Sequence, residues 1–195
     1  MKSPDYYSNQ RVGIFVDVQN LYHSAKNLHH GRVNYTELMK YLVGERQLIR
    51  AMAYVVKSEG IVEARQEIAH PRRSERTPEG EGHILTSAEA AFFEALEKAG
   101  LELRMKDLQV YAGGMKKADW DVGMAVDAIR MSSFLDVVIL VTGDGDFLPL
   151  VDYLKWGVGR LVEVAAFKRS ASGKIQEAAD KFINIEEIPR IIIKK

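Results

Sequence analysis

The chain has 195 residues, 47% of them hydrophobic, and its 27 Lys+Arg balance 27 Asp+Glu for a formal net charge of zero. That length suits one domain with a sizeable core, and no apolar run reaches the roughly 20 residues of a bilayer span, so no membrane contact is expected. The absence of cysteine excludes disulfide frameworks, thiolate zinc sites, iron–sulfur clusters and cysteine nucleophiles, and a reducing, cytoplasmic setting is expected.

Balanced charge argues against a coat protein that binds nucleic acid mainly by neutralising phosphates, so any such contact is expected to be local. The opening MKSPDYYSNQ is polar and is expected to form a flexible lead-in over residues 1–10. One domain is expected over 11–187, with 188–195 as a C-terminal tail. Within the domain, apolar runs of strand length alternate with helix-period segments, the pattern of a parallel sheet with crossover helices.

Five strands are predicted. The first is VGIFV, Val12 to Val16, apolar throughout as a strand covered on both faces should be. The others are Leu48 to Val56, a strand near Leu101 to Val110, the equally apolar DVVILV from Asp136 to Val141, and Arg160 to Phe167 after the turn Gly157-Val158-Gly159. Helices fill the gaps: about Asn20 to Leu28 with a turn-rich stretch to Leu42, Ser87 to Ala99, Trp120 to Met131, Phe147 to Trp156 and Ser172 to Phe182. In the helix from Ser87, the period places Ala88, Ala91, Phe92, Ala95, Leu96 and Ala99 toward the core. The segment HPRRSERTPEGEGH, His70 to His83, has no large apolar residue and two prolines, and reads as a mobile surface loop. Its Arg72, Arg73 and Arg76 are candidates for touching phosphate, against the plainer reading of a solvated insertion.

The chemistry rests on acids. Asp17 follows the first strand and Asn20 lies three residues on, in FVDVQNLY. This is the carboxyl edge where open α/β sheets bind ligands, although helix capping alone would explain both residues. In VTGDGDF, Asp144 and Asp146 follow the fourth strand, and Gly143 and Gly145 are read as permitting a tight or left-handed backbone. An ordinary Gly/Asp turn capping a helix is the alternative. Both clusters follow the two most apolar strands, so if those strands are neighbours the acids converge. The segment KKADWDVGMAVDAIR adds Asp119, Asp121 and Asp127, with a helical pair between Asp127 and Arg130 as the plain alternative. Lys116 and Lys117 are placed to offset acid or touch phosphate, and Trp120 to stack on a base.

Carboxylates gathered in one place repel unless protonated or bridged by cations. Oxygen ligation points to Mg2+ or Mn2+, and paired ions of this kind activate water and stabilise the leaving oxygen in phosphodiester hydrolysis. The five histidines, His23, His29, His30, His70 and His83, show no ligand spacing and read as surface or loop residues. The tail IPRIIIKK offers an edge strand or a self-association patch, which leaves a homodimer open.

IFVDVQNLY, DWDVGMAVD, VTGDGDFLPLV with GVGRLVEV, and SASGKIQEAADKFINI together resemble the NYN domain, especially its LabA-like (DUF88) branch within the PIN-like nuclease superfamily. The resemblance implies a single three-layer, Rossmann-like α/β domain around a parallel five-stranded sheet in the order 3-2-1-4-5. It makes Asp17 a metal ligand, Asn20 an amide near the scissile phosphate, Asp121 and Asp144 further ligands, and Asp127 and Asp146 supporting acids. Asp119 competes with Asp121 for its role, and Asp121 is preferred. Val18-Gln19 stands where a glycine often follows the aspartate.

The implied activity is Mg2+- or Mn2+-dependent hydrolysis of single-stranded RNA. The same acidic pocket in a regulatory module that binds RNA or protein without turnover is the alternative from another functional class. A haloacid-dehalogenase-type phosphatase is more remote, because Gln19 occupies the position of its acid/base aspartate.

Overall fold

A computed structural model describes residues 8–57, 87–107, 109–110, 116–117 and 120–194. Its spine is VGIFV. With apolar side chains on both faces of the pleat, this run is stable only when helices cover both sides. It forms β1 (Arg11–Asp17), in which Val12 through Val16 are buried. The chain continues through α1 (Val18–His29), β2 (Gly31–Val33), α2 (Tyr35–Val43), β3 (Gln47–Lys57), α3 (Ser87–Lys98) and β4 (Glu102–Asp107). Two short strands, β5 (Gln109–Val110) and β6 (Lys116–Lys117), pair with each other. Then come α4 (Asp121–Ser132), β7 (Val137–Val141), α5 (Leu148–Asp152), β8 (Leu161–Ala166), α6 (Gly173–Ala178), β9 (Lys181–Asn184) and β10 (Ile192–Lys194).

The main sheet runs β4-β3-β1-β7-β8-β9, and all its pairings are parallel. Its first five strands follow the predicted 3-2-1-4-5 order, with β3 and β4 on one side of β1 and β7 and β8 on the other. The sheet has six strands rather than five. The helix expected to reach Phe182 stops at Ala178, because Asp180 docks on β8: its carboxylate accepts the Val162 N–H at 2.8 Å and its own N–H donates to the Val162 carbonyl at 2.8 Å. The residues that follow are thereby committed to strand pairing.

Two buried clusters flank the sheet. Val12, Ile14 and Val16 of β1 pack with Leu21 of α1, Leu38 and Leu42 of α2 and Leu96 of α3. Phe15 packs on the opposite face with Met124 and Ala128 of α4, Leu150 and Val151 of α5 and Ile175 of α6. The fold is therefore three-layered and α/β, as expected.

Three local readings are corrected. The stretch from Leu28 to Leu42 is a strand and a helix rather than a turn-rich extension; Asn34 caps α2 by accepting the Glu37 N–H at 3.3 Å. In α3 the buried residues are Phe93 and Leu96, whereas Ala88, Ala91 and Ala95 are exposed. Bulk decided the matter, since the phenyl ring gains more from leaving water than three methyl groups. The predicted helix from Phe147 to Trp156 is a 3-10 turn over Gly145–Phe147, then α5, then a π-helical turn over Tyr153–Gly157. The isoleucine tail does form an edge strand: β10 pairs antiparallel with β2, and Ile188 and Ile191 are buried just before it. No helix among the described residues is long and apolar enough to cross a membrane.

Candidate functional site

Strand order reverses at β1. The chain crosses to β3 and β4 on one side, then returns to β7 on the other, so the carboxyl ends of β1 and β7 flank the switch point where ligands bind in open α/β sheets. Val16 pairs with Val141, which sets Asp17 beside Thr142, the residue just past β7.

A tight hydrogen-bond lattice joins the two strand ends. Asp17 Oδ1 accepts the Asn20 N–H at 3.0 Å, capping α1, and Asp17 Oδ2 accepts the Thr142 hydroxyl at 3.1 Å. The Thr142 Oγ1 in turn accepts the Asp144 N–H at 3.2 Å. Asn20 Oδ1 accepts the Gly143 N–H at 3.0 Å, and Asp144 Oδ1 accepts the Asp146 N–H at 2.9 Å. Capping and site construction are here one arrangement: the bonds that satisfy the helix start also aim Asp17, Asn20 and Asp144 at the same edge. Thr142, fully buried, is the link that sequence reading passed over. It precedes the Gly-Asp turn and lacks the acidic signature that drew attention to its neighbours.

Gly143 and Gly145 are required for space rather than for left-handed backbone. Neither has a positive φ. A Cβ on Gly143 would lie 3.0 Å from Ala171 Cα, and one on Gly145 would lie 2.9 Å from Ser172 Oγ. The loop after β8 presses against this turn, and Ser172 N–H donates to the Gly143 carbonyl at 2.9 Å.

These residues open onto a cleft of about 470 Å3 lined by Asp17, Asn20, Tyr54, Trp120, Asp121 and Asp144, with Gln19, His23, Ser24, Asn27 and Ser170 along its α1 side. No lysine or arginine is among the described residues that line it. Burial pushes the Asp17 carboxyl above its ordinary value and the nearby Asp144 charge adds to this, while the Asn20 and Thr142 hydrogen bonds work the other way. A cation would relieve that cost.

The structure thus brings together Asp17, Asn20, Trp120, Asp121 and Asp144. Asp146 lies outside this cleft, on a second groove that Asp121 also lines. Asp127 lines neither depression; it accepts the Tyr54 hydroxyl at 3.1 Å and faces Arg104 at 3.5 Å. The plain alternative of a helical pair with Arg130 gives way to these partners from the sheet. Burial and the Asp127 charge push the Tyr54 hydroxyl well above the ordinary phenol range. Trp120 is a wall element: its Nε1–H donates to the Val55 carbonyl at 2.9 Å, its ring packs edgewise on Tyr54, and a Cβ on Gly123 would lie 2.5 Å from it. Lys116 and Lys117 lie on β6, and nothing is described of their side chains. Asp119, Arg72, Arg73 and Arg76 lie outside the described residues. His23 is exposed, as the surface reading has it, and also lines the cleft; half-buried His29 departs from that reading, meeting Glu186 at 3.0 Å and tilting against Phe167.

Among the described residues no group of three His, Asp or Glu side chains is gathered closely enough to hold a metal ion. Among the described residues there is thus no full protein cage. The two carboxylates at the switch point fit the sparser demand of Mg2+, which keeps several waters and takes one or two carboxylates together with substrate phosphates. Asp17 accepts from Asn20, Thr142 and the Gln19 N–H, and the roughly four acceptor positions of its two oxygens leave room for a further contact.

A parallel α/β sheet with an acid-lined cleft at its switch point defines the class, a Rossmann-like domain with an acidic site. The chain belongs to the NYN domain family, whose model matches residues 11–186. It is also similar to the crystal structure of a protein of unknown function from Vibrio parahaemolyticus, at 25% identity and a TM-score of 0.75, over 97% of this chain and 100% of that one. No curated protein matches the chain.

Proposed function

We propose that the chain is a Mg2+- or Mn2+-dependent ribonuclease of the LabA-like branch of the NYN family, hydrolysing phosphodiester bonds of single-stranded RNA. The observation that carries this reading is the placement of Asp17 and Asp144 at the ends of adjacent parallel strands, locked in register through Thr142 and Asn20.

In this reading Asp17 and Asp144 would hold the cation, and Asp121, which lines the same cleft, would add its negative charge to the site. When bound, the cation supplies charge neutralisation at the scissile phosphate and lowers the pKa of a coordinated water. Asn20 keeps its side-chain NH2 for substrate, because its carbonyl oxygen is occupied by Gly143, and so presents a donor to a phosphate oxygen. Asp146 lies on the groove where the strand leaves the site. Asp127, bound by Tyr54, supports the wall from behind.

The test is end-labelled single-stranded RNA incubated with Mg2+, Mn2+ or EDTA, with Asp144→Asn prepared in parallel. Metal-dependent fragments absent from the variant support the proposal; undegraded RNA with folded protein overturns it. The second reading is a regulatory module that binds RNA or a protein at the same pocket without turnover. Retained RNA binding without cleavage would establish it.

A further inference from the structure

A second depression of about 340 Å3 begins where the acidic cleft ends. Asp121 belongs to both, and Asp146 stands at the second one's rim. Its walls differ from those of the cleft: Val122 and Ile129 from α4, Pro149 from α5, and Tyr153 make them mainly apolar. Tyr153 is 50% exposed. The ring is also held. A Cβ on Gly157 would lie 3.0 Å from it, so it rests against the backbone on one side. It begins the π-helical turn, in which Val158 N–H donates to the Tyr153 carbonyl at 3.0 Å across five residues. Turns of this kind recur at functional sites because they re-aim side chains that a regular helix would direct elsewhere.

The geometry points to a nucleobase-binding subsite in this groove, in which Tyr153 stacks on the base of a nucleotide flanking the scissile phosphate. This deepens the ribonuclease reading and rests on it. A single strand whose phosphate lies among Asp17, Asp121 and Asp144 has two ways out of the site. The α1 side offers amides, hydroxyls and His23, suited to sugar and base edges. The groove beyond Asp121 offers an apolar floor and a supported ring, suited to a base's π-face. Continuity through Asp121 makes the flanking base the occupant, since Asp121 lines both the acidic cleft and this groove.

The test is fluorescence anisotropy with a labelled single-stranded RNA of mixed sequence, in the Asp144→Asn background to prevent cleavage. Tyr153→Ala should weaken binding about five- to hundredfold, the range of one lost base stack, and Tyr153→Phe should retain it. Scanning one abasic residue along the oligonucleotide should find a position where the loss is comparable and where Tyr153→Ala adds nothing further. Unchanged affinity in Tyr153→Ala, with circular dichroism showing the fold intact, would overturn the subsite while leaving the ribonuclease reading in place. A chain without Tyr153 substitution that binds no oligonucleotide would overturn both. If Tyr153→Ala instead dissociates a dimer seen by light scattering and leaves RNA affinity unchanged, the groove is a protein interface and the subsite is wrong.

Discussion

Asn20 and Gly143 hold each other across the switch point: the amide oxygen on α1 accepts the backbone N–H at the end of β7 at 3.0 Å. One hydrogen bond thus ties the helix after β1 to the turn after β7, and the relative position of Asp17 and Asp144 depends on it. Gly143 is buried, so Asn20→Ala would strand its N–H away from water. The expected cost is about 1–3 kcal/mol, read as a lower urea midpoint, together with lost activity.

Asp144→Asn separates chemistry from folding. Asn keeps an oxygen for the Asp146 N–H and removes a charge that raises the cost of ionising Asp17. Stability should be unchanged or slightly higher, whereas under the proposed ribonuclease function RNA hydrolysis should fall by about a hundredfold or more, as expected if a proposed ligand is lost. A thermal melt and a cleavage time course on one preparation decide both halves.

Gly123→Ala should destabilise in spite of its helical position. Alanine gains about 1 kcal/mol in helix propensity, but its Cβ would meet the Trp120 ring at 2.5 Å. Trp120 is fixed at Val55, so the ring can yield only by weakening that bond, and overpacking of this kind costs about 1–3 kcal/mol. The variant should show a lower urea midpoint and altered tryptophan fluorescence.

Arg46 and Glu163 form a buried pair at 3.0 Å, with side chains 1% and 8% exposed. Glu163→Ala takes the carboxylate from a buried guanidinium and should cost about 3–5 kcal/mol. Replacing both partners with apolar residues of similar volume should cost much less. Urea denaturation of the single and double variants gives the comparison.

The Arg11 guanidinium, 2.8 Å from Asp136, holds that carboxyl at about 2, below its usual 3.8. A depressed acid stabilises the fold above the unfolded-state value, and the contribution is lost as pH falls from about 4 through about 2. The pair is exposed, so the effect is small and weakens with salt. Asp136→Asn should flatten the acid side of a stability–pH profile at low ionic strength while leaving the profile above pH 6 parallel to that of the parent chain.

The apolar strands and the acids that follow them were legible as local patterns, whereas the sheet order, and with it the meeting of Asp17 and Asp144, was expected only from the resemblance to the NYN domain. The sixth strand was hidden, since KFIN carries no stronger strand signal than the helix before it; only docking of Asp180 on Val162 commits it. The α3 register was misjudged because small alanines and large phenylalanines compete for one face and only the neighbouring layer decides between them. Asp127 kept its acidic identity but took Tyr54 and Arg104 as partners, and both come from strands distant in sequence.

The sequence by itself determined the α/β class, a parallel sheet with crossover helices, and the strand ends that carry the acids. Periodicity and the position of a residue relative to a strand end are properties of a short stretch of chain. Tertiary structure alone decided that Thr142 bridges the two acids, that Gly143 and Gly145 make room for the loop at Ala171 and Ser172, and that Tyr153 faces a groove joined to the site at Asp121. Each of these depends on which segments approach within a few ångströms, and that is fixed by packing between layers rather than by the preference of any one segment.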